Sequence, residues 1–104
     1  MVTVIVQFQL PKPLSQEEAM PLFMSSAPKY RQVQGLERKY YLLSEDGTRA
    51  GGVYLFKSRR DAERLYTDEW KKYITAKYGG EPSIAYFESP VIVDNAVGEI
   101  VKAA

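Results

Sequence analysis

The sequence predicts one α+β domain in which a four-stranded antiparallel sheet carries two helices on one face. Three observations lead to this prediction. The chain has 104 residues, which suffice for one hydrophobic core and not for two. Four segments have the composition and alternation of strands, and two segments between them have the caps and periodicity of helices. The predicted domain spans residues 1–104, with residues 95–104 as a short C-terminal tail.

The first strand is predicted over residues 2–10. Its even-numbered residues are all apolar and mostly alternate with polar ones, as in a strand with one buried face. Pro11 and Pro13 follow and end the strand, because proline cannot donate a backbone hydrogen bond.

The first helix is predicted from Gln16. Ser15 and Glu18 have the spacing of a capping box. We expect the helix to stop before Pro28, because a residue that precedes proline avoids the helical region. The apolar residues with helical spacing, expected to face inward, are Ala19, Leu22, Phe23 and Ala27.

The second half of the chain repeats the alternation of strands and a helix. Residues 36–43 and 51–57 are predicted strands joined by a turn at residues 44–47 (SEDG), so they form an antiparallel hairpin. A second helix is predicted from the cap Ser58 to about Tyr78, or as two segments if Thr67 caps a new one. The last strand is predicted over residues 83–93, interrupted by Pro90.

The order strand, helix, strand, strand, helix, strand predicts a ferredoxin-like βαββαβ fold with both helices on one face. In the hairpin, Tyr40, Leu42, Tyr54 and Phe56 occupy one parity, and Tyr41, Leu43, Val53 and Leu55 occupy the other. Both faces of the sheet are therefore apolar, and the helices cover only one. We expect a second copy to cover the other face, which predicts a homodimer.

Composition excludes several classes of function. Cysteine and histidine are both absent, which removes disulfides, thiol nucleophiles, triads that use imidazole, and the usual zinc, haem and iron–sulfur ligands. The net charge of +1 makes nucleic acid an unexpected partner. No apolar run is long enough to span a membrane, and the N-terminus has no signal-peptide pattern. We therefore expect no membrane partner, no metal and a cytoplasmic location.

Six segments carry a resemblance to a known family. They are residues 27–30 (APKY), 35–41 (GLERKYY), 44–47 (SEDG), 51–55 (GGVYL), 68–70 (DEW) and 91–95 (VIVDN). On these segments, over nearly its whole length, the chain resembles the YdhR-like putative monooxygenase family. The resemblance implies a dimeric α/β barrel. Relatives similar to the antibiotic-biosynthesis monooxygenases oxidise phenols or quinols with molecular oxygen and use no metal, flavin or haem. The implied function is therefore cofactor-independent oxygenation of a small aromatic, phenolic or quinol-like compound.

Such chemistry needs a site that binds the aromatic ring, removes a proton and stabilises the resulting anion. The candidate catalytic residues are Arg38, whose guanidinium suits a phenolate or a carboxylate, and Trp70, the only tryptophan. The candidate substrate-binding residues, which we expect around one cavity, are Tyr30, Tyr40, Tyr54, Tyr73 and Tyr86. Core packing is the alternative role of these aromatic residues, and a surface ion pair is that of Arg38. Lys39 is expected in solvent or at the interface.

Two other functions are weighed. An RNA-binding domain has the same strand order, but the positions at which its third strand carries stacking aromatics are Gly51 and Val53 here. A dimeric module that binds a small molecule, or serves a stress response, without turnover is the remaining alternative.

Overall fold

The computed structural model describes residues 1–102. Its elements are β1 (Val2–Gln9), α1 (Gln16–Tyr30), β2 (Leu36–Leu43), β3 (Arg49–Phe56), α2 (Arg59–Leu65), α3 (Asp68–Tyr78), β4 (Ser83–Glu88), β5 (Val91–Asp94) and β6 (Glu99–Lys102). The first four strands in sheet order are β2-β3-β1-β4, and each neighbouring pair is antiparallel. This is the predicted ferredoxin-like sheet.

The alternation in β1 has the predicted effect. Val2, Val4, Val6 and Phe8 are buried, and they belong to one apolar core cluster together with residues of β3, α2 and α3. Because directly opposed residues in an antiparallel pair share a face, Tyr54 and Tyr86 lie on the same side of the sheet as Val4. That side is the helix-covered face.

Helix α1 begins as predicted and ends later than predicted. The Ser15 hydroxyl accepts a hydrogen bond from the backbone N–H of Glu18, and the Glu18 carboxylate accepts one from the backbone N–H of Ser15. The predicted stop before Pro28 is wrong, because the helix continues through Pro28 to Tyr30. The last turn carries Tyr30 into contact with the core cluster, and this tertiary packing outweighs the local preference.

The inward side of α1 also differs from the prediction. Ala19 is buried and Phe23 is half-buried, as expected, but Leu22 is exposed. The second buried residue of the helix is Ser26, whose hydroxyl oxygen lies 2.7 Å from the hydroxyl oxygen of Tyr41. A polar residue takes this position because Tyr41 on β2 supplies a hydrogen-bond partner for it.

The second helical region consists of two helices that meet at Thr67, which was one of the two predicted arrangements. The Thr67 hydroxyl accepts a hydrogen bond from the backbone N–H of Trp70, so α3 has its own N-terminal cap. Helix α3 ends at Gly79, whose φ of 86° is in the left-handed region.

The register of the hairpin corrects the predicted grouping of its side chains. Leu43 lies opposite Ala50, and over residues 38–43 odd-numbered residues of β2 oppose even-numbered residues of β3; the register shifts only before Arg38. Lys39 therefore lies opposite Tyr54 on the helix-covered face, and Tyr40 lies opposite Val53 on the other face. The prediction that Tyr40 and Tyr54 line one cavity is wrong, because the connection between the strands sets a register that separates their parities.

The C-terminal region holds more structure than predicted. Pairing with β1 stops at Glu88, and after Ser89 and Pro90 the chain forms a separate two-stranded hairpin from β5 and β6. The predicted tail therefore contains a strand at residues 99–102, while residues 103–104 lie outside the described residues. Arg38 on β2 forms an ion pair with Asp94 on β5, with the Arg38 Nη2 and Asp94 Oδ2 atoms 3.0 Å apart.

The face of the sheet opposite the helices remains apolar and accessible in the single chain. Tyr40 and Phe87 on this outer face are each more than half exposed. Within residues 1–102, no helix combines the length and the apolar character needed to cross a membrane.

Candidate functional site

The most unusual side chain in the structure is that of Lys39, which points between the sheet and the helices. Its Nζ atom lies 3.4 Å from the ring centroid of Tyr30, 3.7 Å from that of Tyr41 and 4.8 Å from that of Tyr54. Aromatic faces attract cations, and this attraction is strongest where water is displaced. Lys39 and these three rings are called the Lys39 cage below.

Glycine in β3 makes room for the lysine. Gly52 is buried beside the Lys39 cage, and a Cβ atom added there would lie 3.3 Å from Lys39 Cε and 3.0 Å from Tyr54 Cε1. Any larger residue would compete with the stem of Lys39 for the same space. The small residue therefore lets a long charged side chain lie on a face that is otherwise apolar.

Burial alters the acid–base behaviour of Lys39. Desolvation, with a smaller contribution from the nearby ammonium of Lys77, lowers the pKa of Lys39 to about 7. Burial also raises the pKa values of the Tyr41 and Tyr54 phenols, so both stay protonated well above neutral pH. Of Lys39, Tyr41 and Tyr54, Lys39 is accordingly the one that exchanges a proton near neutral pH.

The charge around the cage is one-sided. Lys77 Nζ donates a hydrogen bond to the Ser25 hydroxyl at 2.8 Å, and Lys29 Nζ lies 4.2 Å from the ring centroid of Tyr73. Among the described residues, neither of these lysines nor Lys39 has a carboxylate oxygen within 4.0 Å. The site is therefore cationic, although the whole chain is nearly neutral.

Trp70 and Tyr30 are joined directly. The indole Nε1–H of Trp70 donates a hydrogen bond to the Tyr30 hydroxyl at 3.0 Å, and the Trp70 ring packs edge-on against Tyr66 with centroids 4.9 Å apart. Tyr30 is therefore held at its hydroxyl by α3 and contacts the Lys39 ammonium with its ring. This geometry couples the only tryptophan to the cage.

Two neighbouring spaces share Lys39 as part of their lining. The first, called the inner cleft, lies between sheet and helices and has a free volume of only about 10 Å³. Its polar lining consists of Ser26, Tyr30, Lys39, Tyr41, Tyr54, Trp70, Tyr73 and Tyr78. The second, called the outer groove, is open to solvent and has a volume of about 350 Å³. It is lined by Ala27, Tyr30, Arg31, Leu36, Glu37, Arg38, Lys39 and Tyr41. Lys39, Tyr30 and Tyr41 therefore separate a filled interior from an accessible groove.

A larger groove of about 580 Å³ lies between α1 and the end of β2. Its lining is mainly apolar, with Met20, Phe23 and Met24 on the helix side, and its one ionisable side chain other than Tyr41 is Glu45. It has room for a ligand but offers few groups for proton transfer or anion stabilisation. The Lys39 region is therefore the better candidate for chemistry.

The structure brings some of the predicted site residues together and separates others. Tyr30, Tyr54, Tyr73 and Trp70 all line the inner cleft. Tyr86 does not line it, because Tyr86 packs on Tyr66 with ring centroids 6.1 Å apart and its ring lies under the Arg59 guanidinium.

Arg38 lies beside the site rather than within the cleft. It lines the outer groove, and its guanidinium contacts Asp94 and the hydroxyl of Tyr40 on the other face of the sheet. Its charge is therefore already partnered.

Sequence reasoning missed Lys39 and Tyr41, and it placed Lys39 in solvent or at the interface. That placement is wrong, because the β2–β3 register turns Lys39 onto the helix-covered face. One signal was present in the sequence. Lys39 shares its strand parity with Tyr41 and Leu43, and a charged residue on an apolar parity marks either an exposed strand end or a functional group.

A metal site has little support. Within residues 1–102, no cluster of three or more Asp or Glu side chains is arranged to hold a metal ion, and the full sequence has no His or Cys. The ionisable groups that line the inner cleft are phenols and one amine.

Comparison with known proteins identifies the family. The family model described as "Putative mono-oxygenase ydhR" matches residues 4–81, which is more than half of the chain. The chain therefore belongs to this family of putative monooxygenases. Among curated protein sequences, none is significantly similar to this chain.

Solved structures support the same fold. A monooxygenase of Streptomyces coelicolor in complex with nanaomycin D has a TM-score of 0.65 at 18% identity, covering 85% of this chain and 86% of that one. A cofactor-independent oxygenase of Streptomyces nogalater, SnoaB, has a TM-score of 0.62 at 16% identity, covering 85% and 91%. An antibiotic-biosynthesis monooxygenase homologue from Deinococcus radiodurans has a TM-score of 0.66 at 14% identity, covering 90% and 97%. At these identities the similarity establishes a shared ferredoxin-like fold.

Proposed function

We propose that this protein is a cofactor-independent monooxygenase that acts on a small phenolic or quinol-like aromatic compound with molecular oxygen. The observation that carries the proposal is the Lys39 cage, where an amine with a pKa of about 7 lies among aromatic rings beside an open groove. Membership of a family of putative monooxygenases makes oxygenation the reaction that this site is expected to serve.

The proposed reaction balances without an external reductant. A phenol loses its proton, and the electron-rich phenolate passes electrons to O2. One oxygen atom replaces a ring C–H and becomes a carbonyl, the other leaves as water, and the phenol becomes a quinone. The substrate supplies all four electrons, so the protein needs to bind the ring, remove the proton and stabilise negative charge.

Three further observations support chemistry without a cofactor. Histidine and cysteine, the common ligands of haem, iron–sulfur clusters and copper, do not occur in the sequence. One structure with the same fold is described as a cofactor-independent oxygenase. The groups offered by the inner cleft, several phenols and one amine, suit a reaction driven by substrate deprotonation.

The proposal is tested by oxygen consumption with a panel of naphthols, anthrones and hydroquinones. The protein should first be treated with a chelator and checked for flavin absorbance. We expect at least one compound to be consumed with O2, and labelled oxygen gas should place one heavy oxygen atom in the product. Consumption that yields only hydrogen peroxide would indicate an oxidase, and no consumption across the panel would count against catalysis.

A second candidate function is a module that binds a small molecule without turnover. The observation that favours it is the small free volume of the inner cleft, about 10 Å³, which is room for about one water molecule. An aromatic ring enters the cleft only if the Lys39 side chain or a helix moves. Tight binding of a panel compound with no product after prolonged incubation under oxygen would support this alternative.

We further propose that the protein acts as a homodimer formed through the outer face of the sheet. This face carries Ile5, Val53 and Leu55 near its centre and the exposed Tyr40 and Phe87 nearer its edges. A second copy of the same face would bury this apolar surface, which water would otherwise contact.

Light scattering at micromolar concentration tests the dimer. The expected mass is twice 11.8 kDa, and the substitution Leu55→Glu at the centre of the face should reduce it to one chain. Lys72→Glu, on the exposed side of α3, is a matched control and should leave the mass unchanged. A wild-type mass near 11.8 kDa would overturn this assembly.

A further inference from the structure

We propose that Lys39 and the outer groove form a binding site for an aromatic anion, specifically a phenolate, with the Lys39 ammonium as its counter-charge. This inference rests on the proposed function in one respect: the substrate proposed there is a phenol, and for that reason we choose a phenolate over other aromatic anions. Three features of the described residues support the site: unbalanced charge, an accessible space of suitable size and a flanking pair of aromatic rings.

The charge around the outer groove favours an anion. Three cations, Arg31, Arg38 and Lys39, line the groove together with one carboxylate, Glu37. Arg38 is paired with Asp94, and Glu37 lies 3.6 Å from the ammonium of Lys57. Among the described residues, Arg31 and Lys39 have no carboxylate oxygen within 4.0 Å, so the groove has two cations that a bound anion would neutralise.

The space and its walls suit a flat ring. A volume of about 350 Å³ is within the range of small-molecule sites, and the groove is reached from solvent without any helix moving. Tyr30 and Tyr41 border both this groove and the inner cleft, with ring centroids 6.3 Å apart in an edge-to-face arrangement. An aromatic ligand can pack on these rings while its oxygen approaches Lys39 Nζ.

The same arrangement accounts for the removal of a proton. Near neutral pH a fraction of Lys39 is the neutral amine, which accepts the proton of a phenol to give a phenolate and an ammonium. The opposite charges then stabilise each other in a partly desolvated position. The ionisable groups that line the two spaces beside Lys39, together with the nearby Lys77, are Tyr30, Tyr41, Tyr54, Tyr73, Tyr78, Arg31, Arg38 and Glu37. The one carboxylate among them, that of Glu37, lies 3.6 Å from the Lys57 ammonium.

The test uses para-nitrophenol as the probe, because its phenolate absorbs visible light and its neutral form does not. Protein is titrated into the probe at a pH at which the free probe is mostly protonated. We expect absorbance of the phenolate to rise with saturation, since binding next to the ammonium lowers the pKa of the probe. Lys39→Met should weaken binding about tenfold or more and abolish the spectral change.

Two controls make the outcome decisive. Lys12→Met removes an exposed lysine outside the groove and should leave binding unchanged. Para-nitroanisole, which has the same ring without an acidic hydroxyl, should bind about tenfold more weakly than para-nitrophenol. No binding by the wild type, equal binding by Lys39→Met, or equal binding of the two compounds would each overturn the anion site. The assay needs no oxygen and no turnover, so binding without oxygen consumption would overturn the proposed function and leave this site intact.

Discussion

The ammonium nitrogen of Lys39 lies 3.4 Å from the ring centroid of Tyr30, and the hydroxyl of the same tyrosine accepts a hydrogen bond from the Trp70 indole. One residue at the end of α1 thus connects a lysine on β2 with the tryptophan of α3. The candidate site depends on this contact of three elements.

Lys39→Met is expected to stabilise the protein near pH 7. The pKa of Lys39 is about 7 in the folded state and about 10.5 in the unfolded chain, so between these values the unfolded state binds more protons. The contribution of Lys39 to the free energy of unfolding therefore rises with pH across that window. At pH values below the window, Lys39 is charged in both the folded and the unfolded state, and its burial destabilises the folded protein by the full amount. The variant, which lacks this cost, should be more stable than the wild type by several kcal/mol at pH 7, and by roughly 2 kcal/mol less than that at pH 9.

Urea unfolding at both pH values measures the difference, with Lys12→Met as the matched control of an exposed lysine. A loss of stability in Lys39→Met at pH 7 would show that the aromatic rings stabilise the ammonium more than burial penalises it. Higher stability combined with lost probe binding would separate a functional role for Lys39 from a structural one.

Tyr66→Phe and Tyr41→Phe are expected to have opposite effects on stability. The Tyr66 hydroxyl is buried and has no hydrogen-bond partner among the described residues, so its removal should be neutral or stabilising by up to about 1 kcal/mol. The Tyr41 hydroxyl lies 2.7 Å from the Ser26 hydroxyl, and its removal should cost about 1 kcal/mol. Thermal unfolding of the two variants tests the contrast, and equal effects would refute it.

Gly51→Ala is expected to be far more damaging than Gly52→Ala. A Cβ atom at Gly51 would overlap the backbone carbonyl oxygen of Val6, which cannot move without disrupting the central strand, so we expect a cost of about 3 kcal/mol. At Gly52 the nearest atoms are Tyr54 Cε1, the Tyr40 carbonyl oxygen and Lys39 Cε, at 3.0 to 3.3 Å, so much smaller shifts relieve the contact and the cost should be about 1 kcal/mol. Gly52→Ala should instead displace Lys39 and weaken probe binding. Comparison of unfolding midpoints and probe titrations distinguishes the two effects.

Trp70→Phe is expected to affect the site more than Arg38→Met does. The first change keeps a large ring but removes the hydrogen bond that positions Tyr30. The second removes an exposed guanidinium whose charge is already partnered by Asp94. We expect probe affinity to fall roughly fivefold for Trp70→Phe and no more than about twofold for Arg38→Met. The reverse order would make Arg38 the more important cation of the groove.

The β2–β3 hairpin explains why the fold was easier to predict than the site. The alternation of β1, the capping box at Ser15 and the caps at Ser58 and Thr67 are local patterns, and local patterns determine where elements begin. The faces of β2 depend instead on which residue of β3 lies opposite Leu43. If the two strands paired one residue out of register, Tyr40 and Arg38 would replace Tyr41 and Lys39 on the helix-covered face.

Helix α1 shows a second limit of local rules. The rule for residues that precede proline placed its end before Pro28, yet Tyr30 reaches the core only because the helix continues through that proline. The free energy gained when Tyr30 packs against residues distant in the sequence cannot be inferred from any short segment of it. The same holds for the pairing of β5, which lies at the end of the predicted last strand, with β6, which lies in the predicted tail.

The order of the first four strands and of the helical regions between them, the ferredoxin-like sheet, the absence of thiol and imidazole chemistry, and the family resemblance could all be read from the sequence. The elements follow from short-range periodicity and capping, the excluded chemistry follows from composition, and the resemblance is carried by six short segments of the sequence. That Lys39, and not Arg38, lies among the aromatic rings is a consequence of the tertiary fold. That choice depends on strand register and on burial, which lowers the pKa of an amine only when distant parts of the chain exclude water from it.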